Sequence, residues 1–252
     1  KVYDGTNIAS VLLASNKITT DLLTLAQTGA TFADQNFGVN KTVTVSGLSF
    51  SGASALNYTL NGVSSTSTTA NITAKALTMT GLSSSNKVYD GTTNAVLTGG
   101  ALVGVLPGDT ANVILTQAGR FSSPNVSNGI IIIASGSISG SAASNYSLVQ
   151  PTGITANITP AMLGISVVGV ANGTNTITPI SFTINGLING QTITGLSTVI
   201  VNSPSISSNG SNFVTGIVIS GGTALATNYT FAPAYSATSG VGQNIATLVA
   251  SD

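Results

Sequence analysis

The chain of 252 residues has no cysteine, histidine or tryptophan, and its six acidic residues, all aspartate, balance six Lys and Arg. Each absence excludes something. Without cysteine there is no disulfide framework, so burial and strand pairing must hold the protein together. Without cysteine and histidine the usual zinc and transition-metal ligands are gone, and so is any ordinary nucleophile–histidine triad. Without glutamate, and with no two aspartates close in sequence, neither a calcium loop nor a carboxylate pair can be read from the chain. The expectation is therefore a non-enzyme with no catalytic, cofactor-binding or metal site. No cluster of Lys and Arg is available to neutralise phosphates, which argues against nucleic acid and anionic membranes as partners. The richest apolar run, "GIIIIASG" at 129–136, is of strand length, far short of the roughly 18 residues of a spanning helix, so membrane insertion is not expected. The chain opens on Lys1 with no charged and apolar leader after it, and reads as a piece of a longer one.

What is present is Gly, Ser, Thr, Asn, Ala, Val and Ile, with 42% hydrophobic and only 5% charged residues. Disorder requires the reverse balance, and helix surfaces need the Glu, Lys, Arg and Gln that are scarce here. Alternation in "KTVTVSG" at 41–47, "ANVILTQ" at 111–117 and "GIVISGG" at 216–222 predicts half-buried strands. Turn pairs such as Asn61-Gly62, Asn172-Gly173 and Asn189-Gly190 supply the positive φ angles of tight hairpins. The apolar clusters at 8–27 are read as strands too, because their counterpart at 94–117 carries three glycines and "LPGD".

The chain repeats itself. "KVYDGT" occurs at 1–6 and again at 87–92, "SGLSFSGASALNYTL" at 46–60 faces "SGSISGSAASNYSL" at 135–148, and "TANIT" occurs at 69–73 and 155–159. An offset of about 86 to 88 residues is the size of a domain, not of a solenoid repeat. A third, eroded copy carries "VTGIVISGGTALATNYTF" at 214–231 and only "VANGT" at 170–174 in place of the hexapeptide. The organisation expected is all-β: tandem immunoglobulin-like β-sandwich repeats in an elongated rod. Repeat 1 spans 1–75 and lacks a lead strand, repeat 2 spans 76–161 and opens on "KALTMTG", and the divergent repeat 3 spans 162–252 and opens on "MLGISVVGV". The tail "NIATLVASD" at 244–252 is placed where the lead strand of a further repeat would start.

The stretch from "KVYDGTTNAVLTGGALVGVLPGDTANVILTQAGRF" to "SGSISGSAASNYSLVQPTGITANITPAML" resembles the YDG repeat of very large bacterial secreted proteins, among them filamentous-haemagglutinin-type exoproteins and adhesin-like surface proteins. The resemblance is close over 76–161, good over 1–75, and in 162–252 rests on "TALATNYTF" or on a related MBG-type repeat. It implies an extracellular or cell-surface stalk or adhesin module and brings no catalytic residues with it.

The residues singled out are those of the recurring motifs: Lys1, Tyr3, Asp4 and Gly5; Lys87, Tyr89, Asp90 and Gly91; and Tyr58, Tyr146 and Tyr229, each following an Asn. For the hexapeptide the expectation is a plug and latch where one repeat meets the next, with calcium on Asp4, Asp90 or Asp109 as the ligand reading. For the Asn-Tyr pairs it is buried tyrosine bonding to backbone, with a sugar platform as the alternative. Two functions follow as expectations: a structural stalk or fibre module whose partners are neighbouring copies or repeats, joined by β-strand addition, or a module that binds surface glycans through repeat 3.

Overall fold

The structure is a computed structural model that describes residues 1–251, and it is all-β: apart from short single turns of 3-10 helix, its regular elements are strands. Two compact units form. The first takes Lys1–Leu82, Gly99–Ala118 and Ala134–Pro151; the second takes Ser83–Thr98, Gly119–Ile133 and the chain from Thr152 onward. Sequence repeats and compact units thus differ in phase, and repeat 2 contributes to both.

In the first unit the strands Gly29–Phe32, Gly38–Ser46 and Ser65–Ile72 form an antiparallel sheet in that order. Period-two alternation puts Val43 and Val45 inward and Thr42 and Thr44 outward. Their core includes Tyr3, Phe32 and Ile72 from repeat 1, and Leu77, Val113, Ala142 and Tyr146 from repeat 2. The lead strand of repeat 2, Lys75–Ser84, begins by pairing in parallel with Tyr146–Leu148 and continues beside Leu97–Val103.

The second unit holds the sheet Gly119–Phe121, Ser127–Ala134, Thr155–Thr159 and Lys87–Val88, and a core of Tyr89, Phe121, Ile132 and Ile158 joined by Leu163 and Tyr229 of repeat 3. Ala161–Val170 is the most buried strand. It pairs in parallel with Tyr229–Phe231, antiparallel with Pro179–Asn185, and in parallel with Asn244–Val249. A further core of Ile165, Val167, Val199, Val201, Val214 and Leu248 lies beneath it.

Two expectations are corrected. The tail is not a free lead strand: Asn244–Val249 is the closing strand of repeat 3, in register with Ile165 to Val170, because it is the third copy of "TANIT" and buries Ala246 and Leu248 as that strand buries Ala156 and Ile158. And 8–27 is not a run of strands. Apart from a bridge at Ile8, only Thr24–Ala26 is a strand, while the counterparts of 11–17 in later repeats, Leu97–Val103 and Pro179–Asn185, each lie beside a lead strand. A strand without a partner cannot satisfy its amides, and none is formed.

Candidate functional site: tyrosine joints between successive repeats

The hexapeptide is a closed loop. Lys1 Nζ donates to Asp4 Oδ1 (2.7 Å), to the Thr6 carbonyl (2.7 Å) and to Thr6 Oγ1 (3.0 Å), while Asp4 Oδ1 also accepts from the Thr6 N–H and hydroxyl, both at 2.9 Å. Lys87, Asp90 and Thr92 repeat the arrangement to within 0.1 Å. Gly5 and Gly91 turn the chain at φ of 78° and 72°, a conformation that side chains resist. The lysines also lie over aromatic rings, Lys1 5.7 Å from Phe32 and Lys87 5.3 Å from Phe121. The Asp4 carboxyl is drawn down to about 2, first by the Lys1 hydrogen bond and then by Thr6. Asp90 is lowered too: burial works against it, but Lys87 and Thr92 together prevail. Of the aspartates offered as calcium ligands, Asp4 and Asp90 each have Oδ1 engaged within the loop itself.

The loop aims the tyrosine. Its backbone is fixed to the "TANIT" strand, with the Tyr3 N–H on the Thr73 carbonyl (2.9 Å) and the Tyr89 N–H on the Thr159 carbonyl (2.8 Å). Tyr3 is 2% exposed and Tyr89 4%. Each ring meets the edge of a tyrosine from the following repeat: Tyr3 and Tyr146 have centroids 5.4 Å apart at 81°, and Tyr89 and Tyr229 5.4 Å apart at 80°. In the first joint both hydroxyls donate to one oxygen, Asp109 Oδ2, Tyr146 at 2.7 Å and Tyr3 at 2.9 Å. In the second, Gln191 replaces the aspartate: its Oε1 accepts from Tyr229 and its Nε2 donates to the Tyr89 hydroxyl at 2.8 Å. Burial first, and Asp109 second, push the Tyr146 hydroxyl up to about 12 and raise Tyr3; burial also raises Tyr229.

Asparagine completes each joint. A single 3-10 turn, Ala143–Asn145 or Ala226–Asn228, ends on a buried Asn just before the tyrosine. Asn145 Oδ1 accepts from the Phe37 N–H (2.8 Å) and Asn228 Oδ1 from the Val126 N–H (2.9 Å), each again reaching into the preceding repeat. The Tyr146 and Tyr229 rings therefore pack inside the cores, where they present no open face. Their hydroxyls also accept backbone N–H groups, from Leu106 at 3.0 Å and Ile188 at 3.1 Å.

A family comparison matches the YDG domain over residues 1–69 and 73–154, which include both hexapeptides. The chain belongs to the YDG domain family. Neither the curated proteins nor the solved structures hold a match to it. The two YDG hexapeptides and two of the three Asn-Tyr pairs thus assemble into two joints. Tyr58 stands apart: it makes the equivalent bonds to Asp21 (2.7 Å) and the Ile18 N–H (3.0 Å), but no hexapeptide tyrosine adjoins it and Asn57 is exposed. At the other end of the repeat series, "VANGT" keeps the loop, with Asn172 Oδ1 accepting from Thr174 N–H and Oγ1 at 2.9 Å, but offers Ala171 where the tyrosine would be. The partner residues Asp21, Asp109 and Gln191 were not singled out as joint residues from sequence. Their signal was available, since they precede their tyrosines by 37, 37 and 38 residues.

Proposed function

We propose that this chain is a structural stalk or fibre module of a bacterial extracellular, adhesin-like protein, its repeats immunoglobulin-like sandwiches strung into a rod and divergent in the third copy. The observation that carries the reading is the sharing of cores: Tyr3, Phe32 and Ile72 of one repeat are buried with Leu77, Val113 and Tyr146 of the next, so successive repeats are knitted together and are not separate beads. A module built only to hold distance and resist extension needs such continuity and no chemistry of its own. The partners in this reading are further repeats of the same kind.

Small-angle scattering on the full chain tests the shape. A rod on the order of 100 Å long, as three repeats of typical strand length would make, has a radius of gyration near 30 Å, against about 18 Å for a compact domain of this length. A value near the compact limit sinks the rod. Labelling of intact source cells with an impermeant amine reagent tests the location, and protection of the lysines in intact but not in lysed cells would count against a surface stalk.

A further inference from the structure

Repeat 1 carries a joint that is half built. Tyr58 sits in the place of Tyr146 and Tyr229, and Asp21 in that of Asp109 and Gln191, with the same hydroxyl and backbone bonds in place. In the two filled joints the incoming tyrosine closes the tyrosine edge, and the asparagine beside it is 3% or 1% exposed. Here Asn57 is open to solvent, its neighbour Leu56 is 99% exposed, and Tyr58 is only half-buried. Residues 58–60 form no strand, although their counterparts Tyr146–Leu148 and Tyr229–Phe231 both pair in parallel with a lead strand. Along the segment 11–17, which lacks its neighbour, runs a groove of about 540 Å³ lined by Val11, Leu13, Lys17, Leu23, Leu25 and Gln27. Gln27 Oε1 is a buried oxygen with no hydrogen-bond partner among the described residues.

We infer that Asp21, Tyr58 and Asn57 form a socket for the K-V-Y-D-G-T hexapeptide of a further YDG repeat, whose tyrosine would stack edge-on against Tyr58 and donate its hydroxyl to Asp21 Oδ2. Two sockets of the same sequence logic are filled in this way within the chain, which fixes the chemistry of the occupant. It is not a second copy of this chain, because both of its hexapeptide tyrosines are already engaged, Tyr3 at Asp109 and Tyr89 at Gln191, and the third hexapeptide position holds Ala171. The inference rests on reading the chain as a stretch of a tandem array and assigns the residues that receive the preceding member.

The test is an extended chain in which residues 1–86, carrying Tyr58→Phe, are placed directly ahead of the full chain, so that a nitrated Tyr58 can come only from the full chain. Its nitration by tetranitromethane is followed by peptide mass. The expected result is modification slower by about ten-fold or more than in the chain alone, as for a side chain reached only through local opening. Tyr3→Ala in the added copy is expected to restore the original rate. An unchanged rate in an extended chain whose amides are protected overturns the socket, as does slowing that persists with Tyr3→Ala. If sedimentation finds the unextended chain dimeric with Tyr58 protected, the occupant is wrong. These outcomes are independent of the scattering result: an extended rod with Tyr58 still reactive would leave the stalk reading standing and remove only the socket.

Discussion

Tyr146 is the residue whose ionisation the first joint cannot accommodate. Its hydroxyl donates to a carboxylate oxygen that already accepts from Tyr3, so a phenolate there would face Asp109 across 2.7 Å with no proton between them. The sign follows directly. An unfolded tyrosine ionises near pH 10, and in the folded chain Tyr146 is raised to about 12, so its contribution is whole below pH 10 and is lost as the pH climbs towards 12. Across that window the chain is expected to lose about 2 to 3 kcal/mol that Tyr146→Phe does not lose. Chemical denaturation at pH 9, 10, 11 and 12 on both proteins measures it, and parallel curves would refute the assignment. The hexapeptide ion pair matters less in energy. Lys1 to Asp4 is a surface pair, worth at most about 1 kcal/mol, whereas an aromatic buried to the depth of Tyr3 is worth several times that. Lysine and aspartate shape the loop, and the ring holds the joint.

At the scale of the element, each repeat leaves a strand for the 3-10 turn before its Asn-Tyr pair at a glycine that no periodicity reveals. Gly52, Gly140 and Gly222 all sit between 111° and 122° in φ, and a Cβ there would lie 2.4, 2.3 and 2.1 Å from the carbonyl oxygens of Leu22, Asn112 and Thr192. Gly140→Ala is expected to cost about 2 to 4 kcal/mol, from strain and a clash with the Asn112 carbonyl that only backbone movement relieves, while Gly108→Ala, with open space around it, should stay within about 0.5 kcal/mol of the parent. Thermal melts of the two variants decide this, and equal costs would show that the backbone at Gly140 yields freely. The same elements show what the sequence made legible. Alternation located Gly38–Ser46 and Val214–Gly222, and Asn61-Gly62 and Asn189-Gly190 do take two consecutive positive φ values. Segment 11–17 misled, because its composition is that of a strand but a strand also requires a neighbour. Asn212 and Asn244, fully buried in repeat 3, were illegible for another reason: the third copy has diverged, and Asn244 serves carbonyls of Val214 and Ala232 that only the fold brings near.

For the whole molecule, the sharing of cores makes a prediction about what can fold alone. Residues 1–75 contain Phe32, Val43 and Ile72 but none of Leu77, Val113, Ala142 or Tyr146, which complete the same core. A chain of 1–75 should therefore show no cooperative thermal transition and collapsed amide dispersion, whereas 1–161, which retains all of these residues, should melt as a folded protein. A cooperative melt of 1–75 near that of the longer chain would mean that the borrowed residues are dispensable. The offset between repeat and unit was not readable from the repeat boundaries, because aligned sequences reveal what recurs and not which copies touch.

One pairing bears on what happens when such a chain is pulled. Lys87–Val88, which follows the lead strand of repeat 2, runs parallel to Ile158 and Thr159 near that repeat's end, and Val2 is bridged in parallel to Thr73 in the same way. Where the earlier and the later strand point the same way, tension drawing the first backward and the second forward slides one along the other. Every hydrogen bond between them is then loaded at once, in shear, and none can be opened singly as a zipper is. The hexapeptide tyrosine lies immediately beyond this clamp, so its ring must be dragged sideways out of a core before the strands can part.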